Sequence, residues 1–194
     1  METEPPPWKI TLVCGASGVG KSRLAVPLAR RYGLPLTEVD DIVTAVTALT
    51  TPAQLPVLHF WDTHPEAAHW PAERIAELHL TMAEALLPAV RAVVEDHLAF
   101  DAPVVMEGDF ILPELAAEYP GAVRALVVTE DDPDRLTANF AAREPGPEQR
   151  PRAETGLLVG AELARRALAA GQAVLPARPW DDGPDRADRA LRTN

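Results

Sequence analysis

Short apolar runs alternate along this chain with stretches whose apolar residues recur at helical spacing. Lys9-Ile10-Thr11-Leu12-Val13-Cys14 is a nearly continuous apolar run, the pattern of a strand buried on both faces. Lys21 to Tyr32 has the composition of a helix and is stopped by Gly33 and Pro35. Leu36 to Val39 predicts a short second strand closed by Asp40-Asp41, and a second helix runs through Ile42-Val43-Thr44-Ala45-Val46. The pattern then breaks from Thr50 to Pro71, where Pro52, Pro56, Pro65 and Pro71 interrupt a cluster of aromatic residues and histidines. From Pro71 to about Phe100 a long helix is expected. Ile75, Leu78, Met82, Leu86, Val90 and Val93 return at three- and four-residue steps, with a kink expected at Pro88.

Pro103-Val104-Val105-Met106 predicts a third strand that ends at Glu107-Gly108-Asp109, and Val123 to Val128 a fourth. Pro133 to Arg143 reads as a helix with Asp132 as its N-cap. A loop rich in arginine, proline and glycine follows, then a helix from about Gly156 to Ala170. Gln172 to Pro176 is a fifth strand, followed by Arg178-Pro179-Trp180 and a short terminal helix. This alternation predicts an α/β fold: a five-stranded parallel sheet flanked by helices in three layers. No internal repeat or long linker divides the chain, so residues 1–194 are expected to form one domain.

Composition narrows the function. A 47% hydrophobic and 24% charged content is that of an ordinary globular protein, and no apolar run approaches the roughly 20 residues of a membrane span. The start, Met1-Glu2-Thr3-Glu4-Pro5-Pro6-Pro7, lacks the basic flank and apolar core of a signal peptide, and a single cysteine, Cys14, excludes an intrachain disulfide framework. A cytoplasmic protein is expected. The net charge of −11 argues against a nucleic-acid partner, because a polyanion is repelled at long range. Lys9 and Lys21 are the only lysines; the other basic residues are arginines.

Lys21 belongs to Gly15-Ala16-Ser17-Gly18-Val19-Gly20-Lys21-Ser22, which matches the phosphate-binding P-loop, with an apolar strand before it and a helix after it. Gly15, Gly18 and Gly20 permit the backbone angles that aim several N–H groups at phosphate oxygens, and the helix presents its positive end to them. Lys21 can reach the β- and γ-phosphates of ATP, and the Ser22 hydroxyl can coordinate Mg²⁺.

Acids at strand ends complete a candidate transfer site, since ligands of open parallel sheets collect there. Asp40 is the candidate base for a substrate hydroxyl, and Glu107 for the Mg²⁺ shell or an acceptor contact, with Asp109 close by. Asp41 either caps the helix opening at Ile42 or faces substrate. Arg135, Asn139 and Arg143 share a helical face, and Arg150 and Arg152 follow in the arginine-bearing loop. Arg143 and Arg152 are the candidates for clamping phosphate, and Arg135 for the adenine or α-phosphate. Residues of about 143–156 would form a lid that excludes water.

His59-Phe60-Trp61-Asp62-Thr63-His64, with His69-Trp70, marks about 50–71 as the acceptor side, where His59, Trp61 and Asp62 are candidate substrate contacts. The same residues can instead cover the long helix. The spacing of His59 and His64 matches no standard zinc pattern. His79 and His97 read as structural members of the long helix, and Trp180 as either a neighbour of the adenine or simple packing.

These features together resemble the small P-loop kinases: adenylate-kinase-like enzymes, chloramphenicol phosphotransferase, zeta toxins and polynucleotide kinase. Pro56-Val57-Leu58-His59-Phe60-Trp61 and Met106-Glu107-Gly108-Asp109-Phe110-Ile111-Leu112-Pro113 look most like 2-phosphoglycerate-kinase-like proteins. The resemblance implies a P-loop NTPase core, ATP rather than GTP, and a border to the adenine around Arg178. It implies a kinase transferring the γ-phosphate to a hydroxyl of a small metabolite or natural product. Polynucleotide-kinase-like relatives carry an arginine three residues after the base, where this chain has Val43. A basic pocket for 2-phosphoglycerate would have to draw on Arg74, Arg91 and Arg124. The alternatives are a nucleoside or nucleotide kinase, a nucleotide-dependent switch or assembly ATPase, and a nucleotide-binding regulator without turnover. Monomer and homodimer both remain open.

Overall fold

The computed structural model describes residues 5–146 and 148–193; the acidic residues at 1–4, Pro147 in the expected lid and Asn194 lie outside the described residues. Strands β1 (Ile10–Cys14), β2 (Leu36–Glu38), β3 (Val104–Gly108), β4 (Val123–Thr129) and β5 (Ala173–Pro176) all run parallel, in the order β2-β3-β1-β4-β5. Every residue of β1 and β3 is buried, which explains their unbroken apolar runs. Cys14 lies opposite Gly108 on one side and Val127 on the other, so β1 and β3 end at one level while β4 runs on to Thr129. The strand order reverses at β1, and the crevice beyond its carboxyl end holds the P-loop.

Helices α1 (Lys21–Tyr32) and α7 (Gly183–Thr193) pack together over one face, while α4 (Ala72–Ala99) and α6 (Arg150–Ala169) pack together over the other. α5 (Pro133–Arg143) leans on α6, and α2 (Val39–Leu49) joins β3 to α4. Gly33, at φ 69°, closes α1 by donating its N–H to Ala29 and Arg30 carbonyls. Asp132 caps α5 as expected, its carboxylate accepting from the N–H groups of Asp134 and Arg135. Two buried polar groups are satisfied inside the core: Trp8 Nε1 donates to Thr11 Oγ1 at 2.8 Å, and Tyr32 Oη donates to Asp188 Oδ1 at 2.7 Å. Cys14 is buried at the end of β1, where burial pushes its thiol up, as befits a packing residue.

Three boundaries differ from expectation. β2 stops at Glu38 and α2 begins at Val39, so Asp40 and Asp41 stand in the first turn of a helix rather than at a strand end. Asp41 is therefore not the cap, a position held by Glu38. α6 begins at Arg150, six residues before the expected Gly156, because Pro151 suits a first helical turn. The segment at 50–71 is not wholly irregular: it holds a short helix, α3 (Phe60–Thr63), and a 3₁₀ turn over Pro65–His69. Pro88 lies inside α4, and no helix among the described residues is long and apolar enough to cross a membrane.

Candidate active site

The P-loop bends from β1 into α1 through conformations that side chains resist. Gly15 has φ 148°, and a Cβ there would lie 2.6 Å from the Val128 carbonyl oxygen of β4. Gly20, at φ 95°, forms the N-cap of α1, and the first turn of α1 contains no acidic residue to compete for its free N–H groups. Lys21 is buried; its Nζ donates to the Ala16 carbonyl at 3.0 Å and pairs with the Asp109 carboxylate. Asn139 Nδ2, from α5, donates to the Gly18 carbonyl at 2.8 Å and braces the loop from above.

Ser22 Oγ donates to Glu107 Oε1 at 2.6 Å, while the other carboxylate oxygen of Glu107 is buried with no hydrogen-bond partner among the described residues. Burial pushes the Glu107 carboxyl up, against the opposing effects of the Ser22 hydrogen bond and the Lys21 charge. No group of three or more His, Cys, Asp or Glu side chains is placed to hold a metal among the described residues. A hydroxyl beside one under-bonded carboxylate is nevertheless what Mg²⁺ needs when phosphate and water supply most of its oxygens. The residues present fit that ion.

Asp40 stands in the first turn of α2, which is seated tightly on β3: a Cβ on Gly108 would lie 2.7 Å from Val39 Cβ. The Asp40 carboxyl is raised, first by desolvation and then by the like charge of Asp109, with Lys21 and Arg143 pulling the other way. Asp40 and Asp41 are both exposed, and neither lines either of the two clefts at this edge.

The first cleft, about 430 Å³, is lined by the loop from Gly18 to Ser22 together with Arg23, Asn139, Arg143 and Trp180. Arg143 lines this cleft, is exposed and makes no hydrogen bond or ion pair among the described residues. Arg135 does not enter the cleft. It pairs with Asp132 at 3.1 Å and Glu130 at 3.6 Å, and Arg178 pairs with Glu130 at 3.3 Å. The buried Glu130 carboxylate thus claims both arginines, and Trp180, not Arg178, lines the cleft. Arg150 is likewise held outside it, by Asp134 and Glu154.

The second cleft is larger, about 840 Å³, and lies across the P-loop between Ala16-Ser17 and Asp109. Trp61 and His69 line it, as do Phe110, Phe140 and Arg152. Arg152 is not on the phosphate side: it pairs with Glu144 at 2.8 Å and stacks over Phe140 at 4.4 Å. His59 is buried and bonded to Thr50 Oγ1 at 3.1 Å, and Asp62 is exposed; neither lines either cleft. The three arginines on which a basic pocket would have to draw do not line either cleft. Arg74 stacks on Trp70, Arg91 forks onto Glu118, and Arg124 lies level with Thr11, away from the carboxyl ends of the strands.

His79, expected as a structural member of the long helix, does lie in α4, and its place in a cleft is what sequence reasoning did not foresee. It lines the larger cleft, its ring stacked on Phe110 with centroids 4.4 Å apart. Its Nε2 lies 3.2 Å from the Asp109 carbonyl, which can only accept, so Nε2 carries the proton. Burial lowers its affinity for a second proton. The signal was available: His79 follows Ile75 by four residues on the apolar stripe of α4.

No family model matches the chain. It is 30% identical over 119 residues to a 2-phosphoglycerate kinase of Methanococcus maripaludis, which covers 56% of this chain and 38% of that protein. It is 29% identical over 128 residues to the 2-phosphoglycerate kinase of Methanococcus vannielii, covering 61% of this chain and 41% of the relative. The chain thus spans about two fifths of the length of the curated relatives it matches. Among solved structures, it aligns with TT1252 from Thermus thermophilus at a TM-score of 0.57 and 19% identity, over 97% of this chain and 98% of the other. Shikimate kinase from Acinetobacter baumannii aligns at 0.54 and 14% identity, over 96% and 92%. A gluconokinase from Sinorhizobium meliloti aligns at 0.52 and 17%, over 98% and 94%. The chain has the fold of the small P-loop kinases.

Proposed function

We propose that the chain transfers the γ-phosphoryl group of ATP to a hydroxyl of a small molecule. One observation carries this reading: the Lys21–Asp109 ion pair has one partner lining each cleft. A phosphate held by the loop and a hydroxyl held in the larger cleft therefore approach the same two side chains. The N–H groups of the loop, Lys21 and Arg143 bind and orient the β- and γ-phosphates. Ser22 and Glu107 would hold Mg²⁺, which when bound neutralises charge on those phosphates. The acceptor oxygen attacks the γ-phosphorus, the bond to the β-phosphate oxygen breaks, and the hydroxyl proton passes to Asp40. A carboxyl held above its ordinary range suits that task. Trp180, which lines the donor cleft, would border its base end.

Asp109 lines the acceptor cleft itself, which favours a second assignment in which it takes the proton once Lys21 turns to phosphate. The test is ATP transfer to a panel of alcohols, read by mass as one added phosphoryl group. Asp40→Asn is expected to keep ATP affinity and lose about 10²- to 10⁴-fold in transfer. If Asp109→Asn shows that loss and Asp40→Asn does not, the second assignment holds. Lys21→Ala should weaken both binding and transfer; parent kinetics in that variant would remove the proposal.

A further inference from the structure

We infer that the acceptor is an uncharged or amine-bearing alcohol with an apolar face, and that phosphorylated or carboxylated acids are disfavoured. The inference rests on the larger cleft being the acceptor site. Its lining carries Asp109, Glu144 and Glu148, with Arg152 as the one arginine or lysine and His69 beside them. Asp109 is paired to Lys21 and Glu144 to Arg152, so Glu148 is the acid left without a partner among the described residues. That one base is already committed: Arg152 is ion-paired to Glu144 and lies flat on Phe140. Lys21 pairs with Asp109 and faces the phosphate loop. Burial of the His79 ring disfavours a positive charge there, and its Nε2 is already engaged by the Asp109 carbonyl. Glu148 is exposed at the rim and makes no hydrogen bond or ion pair among the described residues.

An anionic acceptor would therefore lose its hydration without a guanidinium fork or ammonium to replace it. It would also face the unpaired Glu148 carboxylate and the negative phosphates of the donor. A neutral alcohol meets neither cost, and an amine gains a partner in Glu148. The rest of the lining, Trp61, Phe110 and Ile75 among it, supplies apolar area for a body larger than a simple polyol. This sets the chain apart from the relatives named for 2-phosphoglycerate, whose substrate is a phosphorylated acid.

The probes are alcohols on one phenylpropane skeleton: cationic phenylalaninol, neutral 3-phenylpropane-1,2-diol and anionic 3-phenyllactate, with 2-phosphoglycerate alongside. Their binding is measured by calorimetry on the full chain with Mg²⁺ and a non-hydrolysable ATP analogue. Phenylalaninol is expected to bind at least about tenfold more tightly than phenyllactate, a difference of about 1.4 kcal/mol, with the diol between them. Glu148→Gln should narrow the gap between cation and anion. Equal or tighter binding of phenyllactate or 2-phosphoglycerate overturns the inference, as does binding of none of the four. Failure of the kinase reading looks different: the probes bind in the expected charge order, yet ATP yields no phosphorylated product from any of them.

Discussion

Gly20→Ala should damage the donor cleft by two separable routes. Gly20 has φ 95° and ψ 29°, in the left-handed region, where a side chain costs about 1–2 kcal/mol. The added methyl also falls on the indole of Trp180, 3.1 Å from Cζ2 and 3.3 Å from Cζ3, with Cη2 nearer still. The ring cannot withdraw freely, because the Arg23 guanidinium lies 4.5 Å from its centroid on one side. Overpacking of this kind costs about 1–3 kcal/mol, so the whole substitution should cost about 2–5 kcal/mol. Trp180→Leu removes the collision and leaves the backbone strain. Urea denaturation of the parent, both single variants and the double variant should give a favourable coupling of about 1–3 kcal/mol. ATP affinity, read by calorimetry, should fall in Gly20→Ala and recover only in part in the double variant, since the strained loop still turns its N–H groups off the phosphates. A coupling within about 0.5 kcal/mol of zero would refute the collision, and a Gly20→Ala cost below about 1 kcal/mol would refute the strain as well.

Glu107→Gln should raise Tm near pH 7 while lowering Mg²⁺-dependent transfer, because it keeps an acceptor for Ser22 and removes a buried charge. The sign follows from linkage: the folded carboxyl is raised, so the native state holds its proton longer than the unfolded chain. Its contribution is present below the unfolded value and is lost as pH climbs through the folded one, a fall that thermal melts across pH should show in the parent and not in the variant. Asn139→Ala frees the Gly18 carbonyl of its brace, and ATP Kd should rise by about fivefold to tenfold for the lost hydrogen bond; an unchanged Kd by calorimetry removes the bracing role. Tyr32→Phe deletes a hydrogen bond to the Asp188 carboxylate far from the clefts and should cost about 1.5–3 kcal/mol in urea denaturation with kcat unchanged.

What the sequence disclosed was local or periodic, and what it hid was set by strand register. The P-loop is eight contiguous residues between a buried strand and a helix, so its chemistry is written in one place. The partners of Lys21 and Ser22 lie 88 and 85 residues away and meet them only because β3 runs beside β1. Once Cys14 is known to face Gly108, the residues that follow each strand, Gly15 and Asp109, must emerge side by side, and the Lys21–Asp109 pair follows. The aromatic segment misled because its members pack on each other: Phe60 stacks on His64 with centroids 4.3 Å apart and touches Trp70 at 5.3 Å. That self-packing leaves Trp61 and His69 for the cleft and turns His59 inward. The arginines expose the more general limit. Residue type names a candidate chemistry, but partners decide whether it is available. Asp132 and Glu130 take Arg135, Glu130 also takes Arg178, Glu144 takes Arg152, and Asp134 takes Arg150, whereas Arg143 meets no carboxylate within bonding distance among the described residues. The same residue-by-residue pairing leaves Glu148 as the one acid of the larger cleft without a partner among the described residues, and the proposed choice of acceptor rests on that carboxylate rather than on any motif.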